Sequence, residues 1–161
     1  MVIIVMGVTG SGKSTIAKLV SKETGIPYYD ADDFHSTENI KKMSNGIPLT
    51  DEDRQQWLVK LSEQIPQWQQ KDGAVLACSA LKEKYRQTLQ SHSDQSIKWV
   101  YLDVPREVIK DRVTSRKGHF MPKELVTSQF KALEPPTYGI TVDGTLTPQE
   151  ITSEVLHKLD D

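Results

Sequence analysis

The residues Gly7-Val8-Thr9-Gly10-Ser11-Gly12-Lys13-Ser14 carry the clearest chemistry in the chain, and they satisfy G-x-x-x-x-G-K-[ST] at every fixed position. The glycines let the backbone turn tightly and approach a ligand with no Cβ in the way. Successive N–H groups from Gly10 to Lys13 then point at phosphate oxygens. The helix that starts here, through Ser14 and Thr15, adds its positive N-terminal end. Lys13 can reach the β- and γ-phosphates, and the Ser14 hydroxyl can ligate Mg²⁺. The motif predicts a nucleoside triphosphate and says nothing about an acceptor.

A second group is acidic. Asp30, Asp32 and Asp33 follow a short apolar stretch, with His35 just beyond. Carboxylates this close are electrostatically expensive unless a cation or a hydroxyl-rich ligand lies near, and the C-terminal edge of a parallel sheet is where ligands bind. Arg54 sits in the first turn of a helix, where a cation opposes the helix dipole. It therefore has a job outside the helix, or a salt bridge to Asp51 or Asp53. Lys82 and Arg86 stand at i, i+4 and repel each other; a bound anion or plain solvent would relieve them. Arg112 and Arg116 lie near the end of another helix, where the dipole tolerates cations.

The elements that must position these groups follow from periodicity. Five apolar runs read as strands: Val2–Met6, Pro27–Asp30, Ala74–Cys78, Ile97–Val104 and Tyr138–Val142. Helices are expected over Ser14–Glu23, Ser36–Met43, from Thr50 through Trp68, over Glu83–Leu89, from Pro105 past Val113, and over Lys123–Leu133 and Pro148–Leu159. Thr50 and Thr147 are N-caps, and Thr147 with Glu150 forms a capping box. Trp57 and Trp68 read as core residues. Cys78 reads as a small buried hydrophobe. Helix, then the basic loop Lys117–Pro122, then helix is the shape of a lid over phosphates, spanning about residues 113–127. Strands alternating with helices predict a three-layer α/β sandwich around a mostly parallel five-stranded sheet, with helices on both faces.

Composition bounds the rest. The chain has 161 residues, a formal charge of -2 and a single cysteine. One domain, 1–161, is expected. The charge gives no reason to expect nucleic acid or a membrane surface as partner. One cysteine forms no intrachain disulfide, which suits a reducing, cytoplasmic compartment. The apolar start is too short for a signal peptide, and no run approaches the roughly 20 apolar residues of a membrane helix. A homodimer is compatible with the sequence, which leaves the oligomeric state open.

Several blocks together resemble the gluconokinase family of P-loop small-molecule kinases. They are Asp30–His35, Asn39-Ile-Lys-Lys-Met43, Gly46-Ile-Pro-Leu49, Asp51-Glu-Asp-Arg54, Cys78-Ser-Ala-Leu-Lys82 with Tyr85-Arg86, His119-Phe-Met-Pro122, Ser128-Gln-Phe130 and Leu133-Glu-Pro135. They run in order over nearly the whole chain. Gln56 departs from the family, which usually shows proline there. The resemblance implies a P-loop NTPase fold like that of adenylate and shikimate kinases, and phosphorylation of D-gluconate by ATP with Mg²⁺. It implies Asp32 at the acceptor hydroxyl and Asp30 near Mg²⁺ or its waters, while Asp103, which also ends a strand, leaves the carboxylate at Mg²⁺ open. It implies Arg54, Lys82 and Arg86, in that order, on the sugar-acid carboxylate, with His35 and Gln129 as hydroxyl partners. Arg116 falls at the lid position that contacts phosphate and Arg112 where adenine is often stacked. A GTPase switch is disfavoured, since Asn-Lys-x-Asp and Asp-x-x-Gly are missing. A nucleoside monophosphate or shikimate kinase is the nearer rival.

Overall fold

The computed structural model describes residues 1–115 and 123–160. Its five strands are β1 (Val2–Met6), β2 (Tyr28–Asp30), β3 (Ala74–Ala77), β4 (Lys98–Asp103) and β5 (Ile140–Asp143). They form one sheet in the order β2-β3-β1-β4-β5, every pairing parallel. The central strand β1 is wholly buried, which is why it is apolar at every position instead of alternating.

The helices are α1 (Lys13–Thr24), α2 (Thr37–Ser44), α3 (Asp51–Gln69), α4 (Glu83–Gln90), α5 (Arg106–Ser115), α6 (Lys123–Ala132) and α7 (Pro148–Leu159). Alternation along the strands sorts them onto two faces. Val2, Ile4, Met6 and Leu76 meet Leu58, Leu61 and Ile65 of α3 and Leu89 of α4. Ile3, Val5, Val75 and Val100 meet Ile16 and Val20 of α1 and Ile151 and Val155 of α7. A third cluster joins Val8 and Val104 to Ile109 and Val113 of α5 and Val126 of α6. The three-layer reading of the sequence therefore holds. Register aligns the strand ends: Val5 and Asp30 both pair with Ala77. The segments after β1, β2 and β3 leave the sheet at one edge.

The start of β5 differs from the sequence reading. Tyr138 lies outside β5, which begins at Ile140. Gly139 between them takes φ +77°, and a Cβ there would stand 2.8 Å from the Trp99 carbonyl oxygen. The chain turns tightly against β4 before it can pair. The expected lid, about 113–127, cannot be followed, because 116–122 lie outside the described residues. Arg116 and the His119–Pro122 block fall there.

Candidate active site

The phosphate loop links β1 to α1. Gly12 caps the helix at φ +98°, and no side chain caps it. The N–H groups of the first turn are thus left to a ligand, and Gly12, Lys13, Ser14 and Thr15 line a cavity of about 300 Å³. Lys13 Nζ donates to the Val8 carbonyl at 3.1 Å, so its ammonium is held over the loop. Arg112 braces the loop from α5, donating to the carbonyls of Gly10 at 3.1 Å and Gly144 at 2.8 Å. Gly7 N–H donates to the Ser79 carbonyl at 3.4 Å, tying the loop to the segment after β3. The Thr9 N–H donates to Gln129 Oε1 at 2.6 Å, which joins α6 to the loop. Ser11 is buried beneath the loop, its hydroxyl oxygen without a partner among the described residues.

The acidic wall comes from the end of β2 and the 3-10 turn Ala31–Phe34. Asp30 Oδ1 accepts the Asp32 N–H at 2.9 Å and so caps this turn. Trp57 of α3 fixes the turn from below, donating Nε1–H to the Ala31 carbonyl at 2.7 Å. Asp30 and Asp32 both line the cavity. The Asp32 side chain is 72% exposed. Desolvation within the cleft raises the Asp32 carboxyl above its ordinary value; the charges of Asp30 and Asp33 add to this and Lys13 opposes it. That is the direction expected of a carboxylate required to take up a proton.

Met43, Ile47, Pro48, Leu49 and Arg54 also line the cavity. The acids around Arg54 are engaged elsewhere. Asp53 completes the capping box with Thr50 and pairs with Lys42 at 2.9 Å. Asp51 accepts from Tyr85 and pairs with Lys82 at 3.4 Å and with Lys84. The salt bridge from Arg54 to Asp51 or Asp53 is not formed. Arg54 instead donates to the Leu49 carbonyl at 2.7 Å and to Tyr85 Oη at 3.4 Å, with its guanidinium over the Tyr85 ring.

The cavity thus gathers Thr9, Gly10, Gly12 to Thr15, Asp30, Asp32, His35, Arg54 and Gln129 of the residues singled out above. Two candidates for the acceptor's carboxylate are not brought there. Arg86 is only 2% exposed, so solvent does not relieve it, and the anion beside it is a side-chain carboxylate of the fold. It pairs with Glu83 at 3.0 Å and donates to the carbonyls of Ala80 at 2.7 Å and Glu134 at 2.8 Å. Tyr138 Oη accepts from it at 2.9 Å. These bonds hold Ala80, whose φ of +44° strains a residue with a Cβ, so Arg86 shapes the segment after β3. Lys82 is paired with Asp51 and does not line the cavity. Cys78 is buried as expected; burial, with the Asp32 charge, pushes its thiol up to about 12, so it supplies no thiolate. Asn39, Trp57 and Tyr85, which brace the site, were given no role by the sequence reading: Trp57 was a core residue, and Asn39 and Tyr85 only members of blocks that carry the resemblance.

A glycine-rich loop opening a helix, with carboxylates and an arginine lining the same cavity at the edge of a parallel sheet, defines a P-loop kinase. The family model for shikimate kinase matches residues 9–160. A probable gluconokinase of Mus musculus is 43% identical, over 98% of this chain and 97% of its own. A crystal structure of a gluconokinase from Sinorhizobium meliloti 1021 superposes with a TM-score of 0.90 at 38% identity, over 99% of this chain and 91% of that one. An unliganded sugar kinase from Janibacter sp. HTCC2649 superposes with a TM-score of 0.92 at 44% identity, over 98% and 93%. The chain belongs to the gluconokinase family, within the shikimate kinase type of P-loop enzymes. No helix among the described residues is long and apolar enough to cross a membrane.

Proposed function

We propose that the protein transfers the γ-phosphoryl group of ATP to the 6-hydroxyl of D-gluconate, giving ADP and 6-phosphogluconate. The observation that carries this reading is the shared cavity: the Lys13 cradle, the Asp32 carboxylate and the Arg54 guanidinium all line one space of about 300 Å³. The nucleotide's phosphates lie on the loop N–H groups, with Lys13 leaving the Val8 carbonyl for phosphate oxygens. Arg112, at the loop's flank, offers a guanidinium face for adenine. Among the described residues there is no group of three or more His, Cys, Asp or Glu poised for a metal. Mg²⁺ needs none, since it takes few protein ligands and keeps water and phosphate oxygens. Ser14 would hold it directly and Asp30 through water, and when bound it neutralises charge developing on the transferred group.

The chain's own residues do the remainder. Arg54 holds the gluconate carboxylate, and Gln129, its Oε1 fixed by Thr9, presents Nε2–H donors to sugar hydroxyls. Asp32 orients the 6-hydroxyl and takes its proton as the oxygen–phosphorus bond forms. A loose transition state asks mainly for positioning and charge stabilisation. A cytoplasmic setting suits the lone thiol. The test is ATP turnover with and without gluconate, repeated in Asp32→Asn. Turnover should depend on gluconate, and the variant's kcat should fall by about 10²–10⁴ with ATP affinity kept. Near-normal kcat in Asp32→Asn would show that another group takes the proton.

A further inference from the structure

Asp32 does not stand alone on its wall. His35 lies beside it with a side chain only 3% exposed, and His35 Nε2 is 3.8 Å from Asp32 Oδ1. The imidazole stacks on the Trp57 indole at 4.1 Å between centroids and 17° between planes. Its Nδ1 is 3.3 Å from Asn39 Nδ2. Asn39 is itself 6% exposed, and the same Nδ2 donates to the Asp53 backbone carbonyl at 2.7 Å.

A carbonyl oxygen only accepts, so the bond to Asp53 settles which end of the Asn39 amide is nitrogen. The second N–H of that nitrogen is the one facing His35 Nδ1. Nδ1 must then carry a lone pair, and the proton of the neutral ring is on Nε2, the nitrogen facing Asp32. We propose that Asn39 and His35 are positioning residues, which lock the imidazole as the Nε2–H tautomer and aim that donor at Asp32. The donor holds one carboxylate oxygen and leaves the other for the acceptor hydroxyl. The 3.8 Å separation closes to a hydrogen bond when the acceptor is seated.

A neutral donor matters here. A cation beside Asp32 would lower its basicity, whereas a neutral N–H orients it and leaves its charge available. The groups facing His35 keep it neutral. On α3, Arg54 repels an imidazolium; Asp30 and Asp32, on the strand end and 3-10 turn, attract one; α2 presents only the Asn39 amide. Burial, reinforced by Arg54, outweighs the carboxylates and lowers the imidazole to about 4.

The proposal rests on the reading of Asp32 as the group that takes the hydroxyl proton. Two measurements separate the failures. In the wild-type protein at neutral pH, ¹⁵N–¹H correlation of the His35 ring should show a protonated Nε2 and a bare Nδ1. In kinetics, His35→Phe keeps a ring on Trp57 but loses the donor, and kcat should fall tenfold or more with the KM for ATP unchanged. His35→Gln restores an N–H near the same point and should recover most of that loss. A ring protonated on Nδ1 overturns the proposal, as does equal kcat in the Phe and Gln variants. Wild-type kcat in Asp32→Asn would overturn the parent reading, and this proposal with it, whatever the tautomer.

Discussion

Acid should destabilise this fold through His35, by an amount that its burial fixes. The imidazole falls from its ordinary 6.5 to about 4, burial being the main cause and Arg54 the second. Between those two values the unfolded chain binds a proton that the folded chain refuses. Stability from this group is therefore complete above about pH 6.5, declines as pH falls through the window, and is fully lost below about pH 4. Each pH unit across that window corresponds to about 1.4 kcal/mol, so the whole loss is about 3.5 kcal/mol and the part reached at pH 4.5 about 2.5 kcal/mol. The side chain is 3% exposed, so solvent screening does not reduce this appreciably. Asp32 works in the opposite sense, because its raised carboxyl binds a proton in the fold first. His35→Gln keeps Asp32 and removes the imidazole, so the difference between wild type and variant isolates His35. Urea unfolding of both at pH 7.5 and 4.5 measures it. The wild-type advantage should shrink by about 2.5 kcal/mol at the lower pH, a midpoint change of roughly 1 M. A difference constant to within about 0.5 kcal/mol would mean that the buried imidazole already carries its proton in the fold.

Two substitutions test the lining of the cavity, and a third tests the segment after β3. Lys13→Ala should abolish measurable turnover, since a cation on the transferred group is worth about 10³ or more in kcat; isotherms with and without the nucleotide's terminal phosphate would locate the loss. Arg54→Ala should raise the KM for gluconate at least tenfold and leave that for ATP unchanged; equal rises in both would remove Arg54 from the acceptor site. Arg86→Ala should lower unfolding free energy by about 3 kcal/mol or more, because it strands the carbonyls of Ala80 and Glu134, in chemical denaturation. A stable Arg86 variant with a raised gluconate KM would return that residue to the acceptor.

What the sequence made legible was local. The phosphate loop is contiguous, so its type and spacing carried both its backbone geometry and its chemistry. Strands buried on both faces announced themselves as unbroken apolar runs. Arg54 was conspicuous because a cation in a first helical turn is misplaced for the helix, and in the fold that cation does line the cavity. Arg86 was misread for the converse reason. Its i, i+4 spacing from Lys82 described a local repulsion, but its partners Glu134 and Tyr138 lie 48 and 52 positions further along. Glu83, three residues before it, is a local partner, but nothing near it in sequence shows that the Tyr138 hydroxyl and the Glu134 carbonyl close over it. The Asn39–His35 pair is hidden in the same way. The two lie at i, i+4, yet the meaning of their contact depends on the Asp53 carbonyl, which α3 brings from another part of the chain.

The charge arrangement also argues about the acceptor. In the first turn of α3, Asp53 is matched by Lys42, and Asp51 by Lys82, Lys84 and Tyr85. Arg54, which forms no ion pair among the described residues, lines the same cavity as Asp30 and Asp32. The cavity therefore holds one uncommitted guanidinium beside two carboxylates. On the proposed reading an acceptor with one negative charge sets that charge on Arg54 and a hydroxyl on Asp32. A nucleoside monophosphate would bring a dianion into the same space, adding repulsion from two carboxylates that a single guanidinium must offset. At separations of a few ångströms that repulsion is worth about 1–4 kcal/mol per pair, depending on how wet the closed cavity is. On the proposed reading the acidic groups then have two uses: Asp32 takes the hydroxyl proton, and the pair disfavours acceptors already carrying phosphate.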